Sequence, residues 1–225
     1  MRLITIPGVF KPHSDSWMLA EQLPHEPVLE GAHVLDVCTG SGVLAIAAGQ
    51  LGARSVTAVD VSRRAVLAAR INAWLNGVSL KAVNGSLFSP VQGRRFDLIL
   101  SNPPYLPSAS NETPRRGASR AWEGGAGGRL LIDRICAEAA HHLTPGGVLL
   151  LVHSSFCSEH ATIEALVEQG FIVEVVFRNR GPLGPLARAR AELLPTGGVS
   201  DCDCEEILIF RAQRCAAVAS VSRSG

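Results

Sequence analysis

The stretch Ser101–Pro107, Ser-Asn-Pro-Pro-Tyr-Leu-Pro, sets an amide and a phenol on either side of two prolines. Proline has no amide hydrogen to donate to a sheet and fixes its own φ angle, so the pair forms a stiff turn after the apolar run Phe96–Leu100. Such a turn can hold two acceptors in place, the side-chain oxygen of Asn102 and the backbone carbonyl of Pro103. Tyr105 adds a flat face for stacking on a planar group.

Two fixed acceptors suit the alkylation of a planar NH₂ group. The lone pair of an amide or exocyclic nitrogen is delocalised, and no side chain is basic enough to deprotonate it at neutral pH. Catalysis can come from placement instead, with both N–H groups bonded to acceptors and the lone pair turned toward the electrophile. We therefore predict Asn102, Pro103, Pro104 and Tyr105 as the catalytic residues. A proline-rich turn that only ends a strand is the structural alternative.

A second segment with chemical potential is Asp36–Gly42, Asp-Val-Cys-Thr-Gly-Ser-Gly. Its glycines allow a tight turn and a close approach of the backbone to a ligand. Asp60 follows the next apolar run, where a carboxylate can accept hydrogen bonds from both hydroxyls of a ribose. The spacing Gly40-x-Gly42-x-x-Ala45 also matches a dinucleotide fingerprint, so a nicotinamide-dependent dehydrogenase is an alternative. Asp36 argues against it, because a phosphate-binding turn gains nothing from a further negative charge, whereas a ligand ammonium group would.

Alternating strands and helices must position these segments. The predicted strands are His33–Val37, Ser55–Val59, Leu80–Val83, Phe96–Leu100, Val148–His153, Phe171–Phe177 and Glu206–Phe210. The predicted helices are Ser14–Leu23, Val43–Leu51, Arg63–Asn76, Arg129–Leu143 and Glu159–Gln169, with a short one near Leu186–Leu193. This order predicts an α/β fold with a single Rossmann-like sheet of seven strands, mostly parallel, and helices on both faces. Ligands of such sheets bind beyond the carboxyl ends of the strands, where the strand order reverses.

The glycine loop, Asp60 and the Asn-Pro-Pro-Tyr turn together resemble a class I S-adenosylmethionine-dependent methyltransferase. The resemblance implies that Asp36 and the loop bind the methionine end of the cofactor, that Asp60 binds the ribose, and that Val61 flanks the adenine. Ser86 stands where many relatives carry an acidic contact to the adenine amine. The cofactor-binding residues expected on this basis are Asp15, Ser16, Asp36, Cys38, Thr39, Gly40, Gly42, Asp60, Val61, Ser86, Leu87 and Asn102.

Within this class the chain is most similar to the HemK/PrmC family, which methylates the glutamine of a Gly-Gly-Gln motif in peptide-chain release factors. Three features carry the likeness: Pro12-x-x-Asp15-Ser16 before a helix, the continuation Tyr105-Leu106-Pro107, and the glycine-rich stretch Trp122–Gly127. The resemblance implies that Asp15 and Ser16 help to close over the cofactor. It also implies a release factor as the protein substrate.

The motif itself does not select the acceptor, and adenine N6 or cytosine N4 of RNA or DNA fits the same chemistry. The formal net charge of +1 lowers the expectation of a nucleic-acid partner without removing it. A basic patch around Arg115, Arg116 and Arg120 would favour such a partner. A non-catalytic subunit that binds the cofactor is a further alternative.

Three segments organise the chain: an N-terminal extension with a lid helix at 1–30, the methyltransferase domain at 31–210, and a flexible tail at 211–225. Only 35 residues precede Asp36, so we expect a short form without the N-terminal helical domain of bacterial HemK/PrmC members. The short eukaryotic and archaeal members work with a small zinc-binding activator, which makes such a partner possible here. The oligomeric state stays open.

Composition predicts a cytoplasmic globular protein, with 47% apolar and 18% charged residues. Leu3–Ile6 is too short for a signal-peptide core, and the longest aliphatic run is far short of a membrane span. We expect the six cysteines to be mostly reduced thiols. Cys202-x-Cys204 has no second pair at a usual zinc spacing, so no metal is predicted. Trp17 and Trp74 are expected in the core.

Overall fold

The computed structural model describes residues 1–9, 12, 14–112, 118–194 and 204–215. Its helices are α1 (Ser14–Gln22), α2 (Val43–Gln50), α3 (Arg63–Leu75), α4 (Leu130–His142), α5 (Glu159–Glu168) and α6 (Pro185–Arg188). Its strands are β1 (His33–Val37), β2 (Ser55–Asp60), β3 (Leu80–Asn84), β4 (Phe96–Ser101), β5 (Leu143–Ser154), β6 (Phe171–Pro182) and β7 (Cys204–Arg214).

All seven strands form one sheet in the order β3-β2-β1-β4-β5-β7-β6. The pairs from β3 to β5 are parallel, and β7 runs antiparallel to both of its neighbours. The prediction of a mostly parallel seven-stranded sheet is therefore confirmed. The strand order reverses between β1 and β4, so the carboxyl ends of these two strands mark the expected ligand cleft.

Both faces of the sheet are covered by helices, as predicted. Successive strand residues point to opposite faces, and the strands are apolar on both sides because both sides are buried. On one face α1, α2, α3 and the turn after α1 contribute the buried residues Leu19, Leu23, Val43, Leu44, Ala45, Val66 and Ala69. On the other face α4 and α5 contribute Ile132, Ile135, Cys136, Ala139 and Leu166.

The buried amide of Asn72 on α3 ties two distant segments to the sheet. Its Oδ1 accepts a hydrogen bond from the Ile4 amide at 2.8 Å, and its Nδ2 donates to the carbonyls of Ile4 at 3.1 Å and Ser41 at 2.9 Å. The N-terminal segment therefore lies against the same helix that supports the glycine loop. This contact brings Gly8 and Val9 to the ligand cleft.

Helix α1, expected as a lid helix, carries Leu19, which lies fully buried in the main core. The expected boundary at the C-terminal end needs correction. The predicted tail begins too early, since β7 continues past Phe210 to Arg214, held by pairing with β5 and by the Arg211–Glu26 ion pair at 2.8 Å. Residues 216–225 lie outside the described part of the chain.

The prediction that Trp74 belongs to the core is wrong, because its side chain is 78% exposed. Trp17 is also exposed at 37%. The buried positions of α3 form one face of the helix and are Ala65, Val66, Ala68, Ala69, Asn72 and Ala73. Trp74 lies on the other face, two turns after the exposed Leu67, so its side chain points outward.

Within the part of the chain that is described, no helix has both the length and the apolar character needed to cross a membrane.

Candidate active site

A cavity of about 860 Å³ opens at the carboxyl ends of β1, β2 and β4. This is the edge at which the strand order reverses. Its walls come from the glycine loop, the end of β2, the loop after β3, the Asn-Pro-Pro-Tyr turn, the start of α1 and the segment around α6. The volume lies within the range of sites that enclose a small organic ligand.

The glycine loop and Asp60 are joined through the backbone. The Gly40 amide donates to Asp60 Oδ2 at 2.9 Å, and the Ser62 amide donates to Asp60 Oδ1 at 2.8 Å. Gly42 has a φ angle of 89°, a left-handed conformation that favours glycine, and it begins α2. Burial raises the pKa of Asp60, while the two backbone amides and the charge of Arg120 lower it. The glycine loop and the segment after β2 are therefore joined where they line the cavity.

Asp36 lies beneath the glycine loop and is almost fully buried. Its Oδ2 accepts hydrogen bonds from the Thr39 hydroxyl and from the Ala45 amide at 3.1 Å. Its Oδ1 has no hydrogen-bond partner among the described residues. Burial raises the pKa of this carboxyl from 3.8 to about 7, against the opposing effect of the Thr39 and Ala45 bonds. An unpartnered buried oxygen of this kind suits a donor on a bound ligand.

The expected adenine end is formed by Val61, Ser86 and Leu87. Val61 is 47% exposed, and Leu87 is buried with a φ angle of 48°. Asn84 Nδ2 donates to the carbonyls of Asp60 at 2.9 Å and Val61 at 3.0 Å, which fixes the chain after β2. A neutral serine side chain therefore stands at the position where the resemblance expects an acid.

The amide of Asn102 is held from one side by α1. Its Nδ2 donates to Asp15 Oδ2 at 3.1 Å and to Ser16 Oγ at 2.8 Å. Both amide hydrogens are thereby used, which leaves Oδ1 as the end of the amide that can accept a hydrogen bond in the cavity. This is the acceptor role predicted for Asn102 from the sequence.

Tyr105 is tied to the same carboxylate, because its hydroxyl donates to Asp15 Oδ2 at 2.8 Å. Burial raises the pKa of Tyr105 well above 10, and the charges of Asp15 and Glu205 raise it further. The phenol therefore keeps its proton at neutral pH and cannot act as a base. Its remaining role is to stack and to pack.

The glycine-rich loop Trp122–Gly128 buttresses the turn from the other side. The Leu106 amide donates to the Trp122 carbonyl and the Gly124 amide donates to the Leu106 carbonyl, both at 2.8 Å. A Cβ on Gly124 would lie within 2.8 Å of Tyr105 Cα and 2.7 Å of the Pro104 carbonyl oxygen. The Tyr105 carbonyl accepts a hydrogen bond from Cys157 Sγ at 3.3 Å. The stiffness predicted from the prolines is thus reinforced by packing.

The sequence did not predict the wall of the cavity that is formed by the segment around α6 and by Glu205. Gly184–Ala187 and Glu205 line it, and Glu205 Oε1 accepts a hydrogen bond from the Gly184 amide at 2.9 Å. Arg190 pairs with Glu123 at 3.5 Å and lies 6.0 Å from the centre of the Trp122 ring. These contacts join residues far apart in sequence, so no local pattern could have indicated them.

The cavity collects most of the residues predicted for the site. Those that line it are Asp15, Ser16, Cys38, Thr39, Gly40, Asp60, Val61, Ser86, Leu87, Asn102, Pro103, Pro104 and Tyr105. Asp36 and Gly42 are not among the described residues that line it and act from beneath the loop. Arg120 lines it too, whereas Arg115 and Arg116 lie outside the described residues.

The residues present fit S-adenosylmethionine. The cavity is lined by an acid at the end of β2 and by a half-exposed apolar residue beyond it, and the unpartnered Asp36 oxygen is buried beneath the glycine loop at one end. No group of three or more His, Cys, Asp or Glu residues that could hold a metal occurs in the described ranges, and Cys202 lies outside them.

Comparison with known proteins gives consistent matches. Residues 1–115 match the family model described as methyltransferase small domain. A protein of Methanocaldococcus jannaschii, provisionally named protein N5-glutamine methyltransferase, is 36% identical over 180 residues, which cover 80% of this chain and 89% of that one. The release factor glutamine methyltransferase of Deinococcus radiodurans is 41% identical over 140 residues. The match covers 60% of this chain and half of the Deinococcus enzyme.

A solved structure with the same fold is that of the E. cuniculi complex of Mtq2 and Trm112, which is responsible for the methylation of the translation termination factor eRF1. It aligns with a TM-score of 0.63 over 92% of this chain and 99% of that one, at 21% identity. At this identity the likeness concerns the fold.

Gly124→Ala should lower turnover with S-adenosylmethionine by about tenfold or more, because a displaced Asn-Pro-Pro-Tyr turn misplaces the acceptors. The added Cβ would come within 2.8 Å of three backbone atoms. Gly127→Ala is the matched control, since a Cβ there meets nothing within 4 Å. Steady-state kinetics of both variants test this. Equal turnover of the two would show that the loop does not support the turn.

Binding of S-adenosylhomocysteine should tighten by about tenfold as the pH rises from 5.5 to 7. The folded protein holds Asp36 protonated below its pKa of about 7, and a ligand ammonium group favours the ionised form, so binding must release this proton. Isothermal titration calorimetry across this range measures the change. In Asp36→Asn the affinity should not depend on pH. A pH-independent affinity in the wild type would mean that Asp36 only braces the loop.

Proposed function

The chain belongs to the methyltransferase small domain family, and from this premise we propose that it methylates the side-chain amide nitrogen of a glutamine in a peptide-chain release factor. The single observation that carries the proposal is the fixed amide of Asn102, with Nδ2 bound to α1 and Oδ1 left as an acceptor in the cavity. Support for glutamine as the acceptor comes from the names of the archaeal and bacterial relatives.

When bound, S-adenosylmethionine supplies an electrophilic methyl group on a sulfonium. The protein must then hold a weakly nucleophilic nitrogen in line with it. Asn102 Oδ1 and the Pro103 carbonyl accept the two N–H groups of the substrate amide, and this geometry turns the nitrogen lone pair toward the methyl group. Tyr105 lies beside the planar amide as a neutral phenol. The proton leaves to water only after the nitrogen has become acidic through methylation.

The charges around the cavity support a peptide over a nucleic acid. The charges of Asp15 and Glu205 act on Tyr105, which lines the cavity with Asn102. Arg120 lines the same cavity, and its charge acts on Asp60. Beside Tyr105 the two carboxylates would repel a phosphate backbone but not an uncharged glutamine amide.

We also propose that the protein works with a small activator subunit and that it is located in the cytoplasm. The E. cuniculi fold neighbour was solved as a complex of Mtq2 with Trm112, which is the motive for expecting a partner here. A release-factor substrate works in the cytoplasm. The domain assignment is part of the proposal as well, with a catalytic domain that runs from about residue 31 to the end of β7 at Arg214 and with Leu19 of α1 packed against its core.

The wild-type chain should transfer label from S-adenosylmethionine to a release factor, and Asn102→Ala should lower this turnover at least about a hundredfold. The lost side chain removes an acceptor and leaves the glycine loop intact, so the Kd of S-adenosylhomocysteine should stay within about twofold. Filter binding measures the transfer and calorimetry the Kd. Asn179→Ala, which removes an exposed amide from β6, is the matched control and should resemble the wild type.

A release factor whose Gly-Gly-Gln glutamine is changed to alanine should take no label. Total tRNA and rRNA are offered in parallel. Label in RNA alone would contradict the glutamine assignment and retain the chemistry. If cofactor binds but no acceptor is labelled, repeating the assay with a Trm112-like protein decides between a missing partner and a non-catalytic chain.

A further inference from the structure

The carboxylate of Asp15, in the first turn of α1, is 6% exposed and forms hydrogen bonds with three groups of the site. We infer that Asp15 is a positioning residue of the methyl transfer, which selects the orientation of the Asn102 amide so that its oxygen faces the substrate. The inference rests on the proposed function and assigns Asp15 a role different from the cofactor contact that the resemblance implies.

Both oxygens of Asp15 are already engaged within the protein. Oδ1 accepts from the Ser16 amide at 2.8 Å. Oδ2 accepts from Tyr105 Oη at 2.8 Å and from Asn102 Nδ2 at 3.1 Å. A carboxylate offers about four acceptor sites, and three of those of Asp15 are taken within the protein. Two of the three hold the Asn-Pro-Pro-Tyr turn.

An asparagine amide cannot select its own orientation. Its oxygen and nitrogen ends have nearly the same shape, and a rotation by 180° exchanges an acceptor for a donor. Only the orientation with Oδ1 in the cavity accepts an N–H group of the substrate. The carboxylate oxygen of Asp15 accepts hydrogen bonds, so it attracts Nδ2 and repels Oδ1. The Ser16 hydroxyl takes the second hydrogen of Nδ2 at 2.8 Å.

The position of Asp15 is fixed by the core. Leu19, one turn further along α1, and Leu23 just beyond the helix are fully buried among the sheet residues. The carboxylate is therefore carried on a rigid support that reaches the turn from a part of the chain 87 residues away. This is the geometry required to hold a catalytic amide to within a fraction of an ångström.

Kinetics of Asp15→Ala and Asp15→Asn test the role. Asp15→Ala should lower kcat roughly tenfold or more, while the Kd of S-adenosylhomocysteine stays within about twofold. Asp15→Asn should fall between Asp15→Ala and the wild type, because one amide oxygen can satisfy either the Ser16 amide or the Asn102–Tyr105 pair but not both. Glu21→Gln, which neutralises an exposed carboxylate of the same helix, is the matched control and should leave kcat unchanged.

A second readout needs no substrate. In the ¹⁵N spectrum of the wild type, the Asn102 side-chain signals are those missing from Asn102→Ala. Both Nδ2 hydrogens should exchange with solvent about tenfold faster in Asp15→Ala than in the wild type, because one loses its acceptor and the other leaves Ser16 when the amide turns. Faster exchange of only one hydrogen would show that Ser16 holds the orientation without Asp15 and would overturn the inference. A purely structural role would instead raise exchange throughout the protein.

The outcomes separate this inference from the proposed function. A Kd for S-adenosylhomocysteine that weakens as much as kcat falls would overturn it and make Asp15 a cofactor ligand. Unchanged kcat, or unchanged exchange of both Asn102 hydrogens, would also overturn it. If the wild type labels no release factor, the proposed function fails, and the exchange experiment alone still decides whether Asp15 orients Asn102.

Discussion

The orientation of one side-chain amide, that of Asn102, is the constraint on which the rest of the site depends. Three separate parts of the chain converge to impose it: α1 through Asp15 and Ser16, β4 through the strand that leads into the turn, and the glycine-rich loop through its backbone bonds to Leu106. The contacts of α1 and of the glycine-rich loop join segments that are distant in sequence. The sheet brings these parts of the chain to one edge, because the carboxyl ends of β1 and β4 lie side by side where the strand order reverses.

The two ends of the cavity differ in the chemical groups that they present. At the end proposed for the cofactor, the protein offers backbone amides and buried carboxylates, so close approach and left-handed glycine geometry are the main requirements there. At the end proposed for the acceptor, it offers rigid hydrogen-bond acceptors and a neutral phenol, because burial keeps the Tyr105 phenol protonated. A chemistry that relies on placement needs no base, but it requires that the acceptors do not move. The two prolines, Gly124 and Asp15 all serve that requirement.

The strands and the site motifs can be predicted from the sequence, because both depend on local patterns of residues. Apolar runs with helices between them predict β1 to β5, and the Asn-Pro-Pro-Tyr turn and Asp60 follow these runs directly. Features that depend on tertiary contacts escape such prediction. The extension of β7 to Arg214 is decided by pairing with β5, and the outward position of Trp74 is decided by which face of α3 packs against the sheet. The pairing of Asp15 with Asn102 joins residues 87 positions apart and has no sequence signal beyond their chemical types.

The most direct test of this account is a crystal structure of the chain with S-adenosylhomocysteine and a peptide that contains Gly-Gly-Gln. The account predicts that the glutamine amide nitrogen lies about 3 Å from both Asn102 Oδ1 and the Pro103 carbonyl oxygen, with Asn102 Nδ2 still bound to Asp15. A glutamine amide bound elsewhere in the cavity, or an Asn102 amide turned with its nitrogen toward the substrate, would contradict it.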